Sequence, residues 1–241
     1  HISDLAKENR LLRQELELKE RLAGIMGYSI ERRPVSRQII EAAFTDCPVM
    51  ITGEVGTGKS LLARIIHEAS RRNEHAFVTV SCSSASEDAL DKELFGSGKR
   101  KPGKIELARR GTLFLDEIWS LPAAIQVKLV NRLVGRPSSR GGARIIASTS
   151  RDLKSLVSKG SFCGDMYSYL SEFSVGIPPL RERKEDIPLL AKYFVHKLSQ
   201  ANGSRPKTVS DEALQVLMSY DWPGNVRELE GAIKQALMVG S

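Results

Sequence analysis

Cysteine and histidine are scarce in this chain, and their positions disfavour several kinds of site. The chain has 241 residues, with only three cysteines and four histidines. Cys47, Cys82 and Cys163 are odd in number and far apart, so we interpret them as reduced, small hydrophobic side chains. No pair has zinc-ligand spacing, and no histidine lies beside a candidate nucleophile. Metallohydrolase and cysteine protease functions are therefore disfavoured.

Long apolar runs are missing as well. No stretch approaches the roughly 18 uncharged apolar residues of a membrane helix, and residues 1–20 lack the apolar core of a signal peptide. Hydrophobic residues make up 41% and charged residues 27% of the chain, which excludes disorder and collagen-like repeats. We expect a soluble, cytoplasmic protein with no membrane partner.

The charge balance is basic. Lys and Arg number 36 against 29 Asp and Glu, a formal net charge of +7, which favours anionic partners such as nucleotide or nucleic acid. This excess is too small to establish DNA binding. The length, at about 150 residues per domain, indicates one large domain and a smaller one, or one domain with an extra segment.

The first 24 residues form a separate segment. Apolar residues and one asparagine alternate at spacings of three and four between residues 2 and 20, a short heptad pattern. The pattern predicts a parallel coiled coil and a dimer, with Asn9 at a core position that specifies two strands. The alternative is a solvated linker helix. We expect another domain to precede this segment.

Residues 25–187 have an alternating α/β pattern, and residues 188–241 are helical in pattern. Apolar, strand-like runs at 48–53, 76–82, 111–118 and 143–150 are separated by helical or loop segments. Such runs predict a parallel sheet with strands buried on both faces. The fold class is therefore α/β, with a small helical subdomain after it.

A Gly-rich turn between the first strand and the next helix fits the phosphate-binding pattern G-x-x-x-x-G-K-[ST]. Its backbone N–H groups would surround phosphates, Lys59 would reach the β and γ phosphates, and Ser60 would hold Mg²⁺. The predicted nucleotide-binding residues are Gly53, Glu54, Val55, Gly56, Thr57, Gly58, Lys59, Ser60 and Leu61.

Two adjacent carboxylates, Asp116 and Glu117, end the third strand-like run. Ligands of open α/β sheets bind at this carboxyl edge. One carboxylate, Asp116, would organise the Mg²⁺ shell together with Ser60, and Glu117 would orient the attacking water. Both residues are candidate catalytic groups.

The segment Trp222–Glu230, WPGNVRELE, lies in the helical part of the chain. Its Arg227 would reach back to the nucleotide phosphates. The alternative is an ordinary capped helix start, because Pro-Gly-Asn is common turn chemistry.

Five segments together resemble the central AAA+ domain of bacterial enhancer-binding transcription activators, over residues 25–239. They are GEVGTGKSLLARIIH, ELFG, GTLFLDEI, PPLRERKEDI and WPGNVRELE. The resemblance implies an ATP- and Mg²⁺-binding domain with a helical lid, which assembles into rings of up to six subunits and acts on RNA polymerase. It also implies a receiver or sensor domain before this module, a DNA-binding domain after it, and a sensor role for Arg227.

The chain departs from this family in the loop that touches the sigma factor. Members that drive sigma-54 polymerase carry GAFTGA shortly after ELFG, whereas residues 97–104 here read SGKRKPGK. We expect this chain to be unable to remodel sigma-54 polymerase.

The chain also departs from the family around the catalytic site. Cys163 and Tyr169 stand where the family has arginines that act on a neighbour's γ-phosphate, and such arginines contribute about 10³ to 10⁵ in turnover. The strands that usually end in asparagine read Val-Ser-Cys at 80–82 and Ser-Thr-Ser at 148–150. We expect weak or absent hydrolysis, unless Arg151 or Arg181 replaces the missing arginines.

We therefore expect a nucleotide-binding module of a DNA-binding transcriptional regulator, in which ATP biases the oligomeric state. One alternative is a slow but genuine ATPase ring. Another is implied by the resemblance, since some members of the family that regulate motility and biofilm genes bind cyclic di-GMP. Basic residues at Arg32, Arg33, Arg64 and in the 99–110 loop make binding of that ligand chemically feasible.

Overall fold

The structure is a computed structural model that describes residues 35–83, 86–97, 101–134, 141–201 and 207–239. The predicted coiled coil of residues 2–20 lies outside the described residues. The chain divides into two compact units. Among the described residues, the sheet unit comprises those within 37–53 and 59–176, and the helical unit comprises residues 35–36 and 54–58 and those within 177–239.

The described elements up to Gly176 have one or two helical segments between successive strands. They are α1 (Val35–Phe44), β1 (Val49–Thr52), α2 (Lys59–Glu68), β2 (Phe77–Ser81), α3 (Glu87–Phe95), α4 (Lys104–Leu107), β3 (Thr112–Asp116), a 3₁₀ turn (Ile118–Ser120), α5 (Ala123–Val134), β4 (Arg144–Thr149), α6 (Leu153–Ser158), α7 (Gly164–Leu170) and β5 (Ser174–Gly176). The strands form one parallel sheet in the order β2-β3-β4-β1-β5.

The sheet is buried on both faces, as the apolar runs predict. On one face, Leu113 and Leu115 of β3 join a core with residues of α3, α5 and α7. On the other face, Phe114 stacks on Phe77 of β2, whose ring also contacts His67 of α2. Because successive strand residues point to opposite faces, β3 contributes to both cores.

The helical unit has its own core. After Gly176 the described elements are two 3₁₀ turns (Leu180–Glu182 and Lys184–Asp186), α8 (Ile187–Ala201), α9 (Asp211–Ser219) and α10 (Asn225–Val239). Leu190 and Phe194 of α8 pack with Trp222 and with Leu229 and Ile233 of α10. No helix among the described residues has both the length and the apolar character to cross a membrane.

The parallel α/β class and the four predicted strands are confirmed, with the helical segment after them. Two details differ from the sequence pattern. Strand β5 has only three residues, of which Val175 alone is buried, too short for periodicity to reveal. Helix α2 stops at Glu68, although the pattern continues to Arg72, because the Ser70 hydroxyl and N–H both bond the His67 carbonyl.

The connection from α3 to α4 is closed by a short backbone pairing. Gly96 and Pro102 form an antiparallel bridge, and the Ser97 N–H donates to the Lys101 carbonyl at 3.2 Å. A Cβ at Gly103 would lie 2.3 Å from the Leu94 carbonyl oxygen. Glycine at this position therefore permits the close approach of the two segments.

Replacing Gly103 by alanine should destabilise the chain by about 1–3 kcal/mol, since the added methyl group overlaps backbone that has to move. The matched control is Gly231→Ala in α10, where a Cβ meets nothing within 4 Å. There alanine should stabilise by roughly 0.5–1 kcal/mol through its better helix propensity. Urea unfolding of both variants measures the two changes, and equal values would contradict the proposed close approach.

Candidate phosphate-binding site

The predicted phosphate-binding loop connects β1 to α2. Gly56 and Gly58 have φ values of 82° and 103°, a left-handed region that favours glycine. The helix begins directly afterwards at Lys59, so its free N–H groups lie at the end of the loop. Loop N–H groups next to a helix N-terminus form an anion-binding arrangement.

The Lys59 side chain is 5% exposed and held at the carboxyl edge of the sheet unit. Its Nζ donates to the Gly53 carbonyl at 2.9 Å and pairs with the Glu117 Oε1 at 2.9 Å. Buried ammonium groups need such partners, because an unpaired buried charge is costly. The pair brings together two residues that the sequence predicts for the same site.

Glu117 adopts a left-handed backbone conformation, with φ 56° and ψ 56°. This conformation is uncommon for a residue with a side chain. The neighbouring strand stabilises it through Ser148 of β4, whose Oγ accepts from the Glu117 N–H at 3.0 Å and donates to the Asp116 Oδ1 at 2.5 Å. Ser148 is fully buried, and it fixes the Asp116 carboxylate and the Glu117 backbone.

The second oxygen of Glu117 is also fully engaged. Its Oε2 accepts from the Ser150 N–H at 2.9 Å, the Ser150 Oγ at 2.7 Å and the Trp119 Nε1 at 2.7 Å. Burial raises the pKa of Glu117. The hydrogen bonds from Ser150 and Lys59 and the positive charge of Lys59 lower it by a larger amount, so the pKa of Glu117 lies below its usual value. Glu117 is therefore an ionised counter-charge for Lys59.

The loop tip, residues 54–58, belongs to the helical unit and is fastened within it. Arg181 donates to both Glu54 carboxylate oxygens, at 2.7 and 2.9 Å. Asn225 Nδ2 donates to the Glu54 Oε2 at 3.1 Å and to the Val55 carbonyl at 3.0 Å. Hydrogen bonds from Arg181 and Asn225 lower the pKa of Glu54 to about 2. The tip is thus held in one conformation by fixed donors.

Backbone contacts complete this attachment. The Arg227 N–H donates to the Gly56 carbonyl at 3.3 Å, and a Cβ at Gly56 would lie 2.2 Å from the Gly224 carbonyl oxygen. The buried Arg183 donates to the Thr57 carbonyl at 3.0 Å. The WPGN segment therefore contacts the loop directly, whereas a contact of the Arg227 side chain with phosphate stays a prediction.

The residues predicted for Mg²⁺ suit that ion only in part. Ser60 is exposed in the first turn of α2, and Asp116 is half-buried at the end of β3. Within the described ranges no group of three or more His, Cys, Asp and Glu could hold a metal. Because Mg²⁺ in such sites takes one or two protein ligands plus phosphate and water, these two residues fit a metal bound together with nucleotide. Leu61, also exposed, adds no polar group.

Cys163 and Tyr169, the positions where we expect arginines from the family resemblance, carry side chains that pack against the core. Tyr169 packs against the core of the sheet unit, and burial raises its pKa to about 12. Cys163 packs there too, and its N–H donates to the Gln126 Oε1 at 2.7 Å. Of the two suggested replacements, Arg181 is paired with Glu54, and the Arg151 guanidinium lies 3.9 Å from the centre of the Trp119 ring.

Three contributors to the site were missed by the sequence analysis. Ser148 holds Asp116, Trp119 donates to Glu117, and Asn225 fastens Glu54. The WPGN motif pointed to Asn225 only as turn chemistry. For Ser148 and Trp119 the sequence offered only their positions. Ser148 directly precedes the Thr-Ser end of a strand-like run, and Trp119 lies two residues after Glu117.

Two family models match the chain. The model described as the Sigma-54 interaction domain matches residues 25–176. The model described as the AAA+ ATPase lid domain matches residues 181–241.

Relatives from several bacteria align along most of the chain. It is 39% identical over 248 residues to the Nif-specific regulatory protein of Herbaspirillum seropedicae, covering 96% of this chain and 46% of that protein. It is 38% identical over 232 residues to the transcriptional regulatory protein ZraR of Salmonella typhimurium, covering 90% and 53%. The chain thus spans about half the length of these relatives.

A solved structure has the same fold. The crystal structure of NtrX from Brucella abortus in complex with ATP aligns with a TM-score of 0.79 and 33% identity. The alignment covers 85% of this chain and 50% of that chain.

Replacing Ser148 by alanine should cost about 1–3 kcal/mol of unfolding free energy, because it removes the hydrogen-bond partner of the half-buried Asp116 carboxylate and of the Glu117 N–H. Ser158→Ala is the control, since that exposed hydroxyl bonds a carbonyl of its own helix. The control should change stability by less than about 0.5 kcal/mol. Urea unfolding compares the two, and a Ser148→Ala cost no larger than the control's would contradict this role.

Proposed function

Since the chain belongs to the Sigma-54 interaction domain family of bacterial transcriptional regulators, we propose that it binds ATP with Mg²⁺ and uses the nucleotide as a ligand that biases self-association. In this proposal Lys59 contacts the phosphates, Ser60 and Asp116 serve the metal, and hydrolysis is weak. A ligand shifts an assembly equilibrium only if it binds one arrangement better than another.

The main support for nucleotide binding is the buried Lys59 ammonium at the end of a Gly-rich loop. The loop glycines have left-handed conformations, and hydrogen bonds from Arg181 and Asn225 hold the loop tip. A preorganised loop loses little conformational freedom on binding. The NtrX structure that shares this fold was solved in complex with ATP.

Weak hydrolysis is supported by the residues at the positions of the family arginines. Tyr169 and Cys163 lie against the core and carry no positive charge. Arg151 and Arg181 are engaged with Trp119 and Glu54. A charge acting on the γ-phosphate is worth about 10³ to 10⁵ in turnover, so its loss outweighs an intact loop.

The α3–α4 connection supports a regulatory function that does not include remodelling of sigma-54 polymerase. The pairing of Gly96 with Pro102 encloses only residues 97–101, which leaves no length for a GAFTGA loop. In the full-length protein, regulation would pass from an upstream domain through residues 2–20 to the AAA+ units, with DNA bound by a further domain and RNA polymerase contacted in another way.

Cyclic di-GMP is a less favoured ligand. Of the basic residues that suit it, Arg32 and Arg33 lie outside the described residues, Arg64 lies 4.9 Å from the centre of the Phe77 ring, and Lys104 pairs with Glu93. These contacts use charges that such a ligand would need. Titration of cyclic di-GMP beside ATP separates the two ligands.

ATP binding and phosphate release should be measured on the same sample of this chain across protein concentration. We expect Lys59→Ala to weaken ATP binding by about 30-fold or more, since it removes a charge-assisted contact worth roughly 2 kcal/mol. The control Lys154→Ala, at an exposed position of α6, should bind ATP as the unmodified chain does.

Two outcomes would contradict the proposal. Equal ATP affinity of the Lys59→Ala variant and the unmodified chain would show that the loop is not the ATP-binding site. Lys59-dependent turnover of about one per second or faster, within the usual enzyme range, would favour the ATPase alternative. Sedimentation with and without ATP then tests the effect on oligomeric state.

Purified sigma-54 should not bind this chain, with or without ATP, because the residues between Gly96 and Pro102 replace the contacting loop. A family member that carries GAFTGA is the positive control in the same binding measurement. ATP-dependent binding of sigma-54 to this chain at the control's affinity would show that another surface performs the contact.

A further inference from the structure

Trp119 connects the candidate catalytic edge to a surface arginine. It lies in the 3₁₀ turn after β3, and its Nε1 donates to the Glu117 Oε2 at 2.7 Å. On the ring face, the Arg151 guanidinium lies 3.9 Å from the ring centre, a distance typical of a cation–π contact. The indole is thus fixed from two sides, by a carboxylate at its edge and a cation on its face.

The Glu117 Oε2 has no capacity for further donors. A carboxylate oxygen offers about two acceptor sites. Within the described ranges, three donors already reach this oxygen, two from Ser150 and one from Trp119. With Oε2 held in this way, Oε1 is directed at Lys59 at 2.9 Å.

This arrangement places a fixed negative charge beside the lysine that the phosphate-binding motif requires. Phosphates that approach Lys59 meet Glu117 as a competitor for the same ammonium group. To withdraw, the Glu117 carboxylate would have to give up its bonds to Trp119 and Ser150, and charge-assisted hydrogen bonds of this kind are among the stronger ones in proteins.

We propose that Trp119, supported by Arg151, is a positioning residue that holds Glu117 against Lys59 and so lowers the affinity of the site for nucleotide phosphates. The inference rests on the proposed binding of ATP at this loop. It adds a restraint on that binding. The restraining residue, Trp119, follows Asp116, Glu117 and Ile118 in the sequence.

The restraint is tested by ATP affinity. Trp119→Phe keeps a ring beneath Arg151 but removes the N–H donor, and it should bind ATP about 3- to 10-fold more tightly than the unmodified chain. Glu117→Gln, which removes the competing charge, should bind at least as tightly as Trp119→Phe. A gain in affinity cannot result from a partly unfolded variant, because unfolding weakens binding.

Trp119→His is the matched variant, since its Nε2, like the indole Nε1, lies two bonds from Cγ and can donate a proton. It should return the affinity towards that of the unmodified chain. Unchanged or weaker ATP binding by Trp119→Phe would overturn the restraint.

A second measurement does not depend on nucleotide. The chain has two tryptophans, so an NMR spectrum of the indole N–H groups contains two signals, and Trp222→Phe assigns them. Trp222 belongs to the helical unit, where its Nε1 donates to the Leu217 carbonyl at 2.7 Å. In Glu117→Gln the Trp119 signal should move and the Trp222 signal should stay.

The two measurements separate the inference from the function on which it rests. If the unmodified chain and all variants fail to bind ATP, the proposed function is wrong, and the NMR result alone decides whether Trp119 holds Glu117. A Trp119 signal that is the same in Glu117→Gln and in the unmodified chain would overturn the contact itself.

Discussion

The buried ion pair between Lys59 and Glu117 is the interaction on which the rest of the candidate site depends. Two opposite charges in a poorly hydrated place are tolerated only when their remaining hydrogen-bonding capacity is also satisfied. The structure meets this demand with the Gly53 carbonyl on one side and with Ser150 and Trp119 on the other. The side chains of the candidate site therefore form one connected network.

The strand order explains how this network assembles. Strand β4 lies between β1, which leads into the phosphate-binding loop, and β3, which ends in Asp116. Parallel strands end at the same edge, so Ser148 and Ser150 of the β4 end meet the two carboxylates although about 30 residues separate them in sequence. The loop tip is stabilised separately, within the helical unit, by Glu54, Arg181 and Asn225.

Much of the fold was predictable because its signals are local. Each of the four predicted strands is an apolar run long enough to indicate burial on both faces, whereas β5, with three residues and one buried side chain, gives no such signal. The phosphate-binding loop was predictable for the same reason, since its glycines and Lys59 are contiguous. Ser148 and Trp119 were not predictable, because a serine and a tryptophan acquire their roles here only from a partner on another element.

The sequence by itself determined the α/β class, the loop Gly53–Ser60, the acidic pair Asp116 and Glu117, and the absence of GAFTGA between residues 97 and 104. These features are set by neighbouring residues and by backbone conformations that glycine or apolar periodicity favours. Only the tertiary structure decided which partner each of three cationic side chains contacts: Glu117 for Lys59, Glu54 for Arg181, and the Trp119 ring for Arg151. Long side chains choose their partners by distance and burial in the folded chain, and neither is encoded in local sequence.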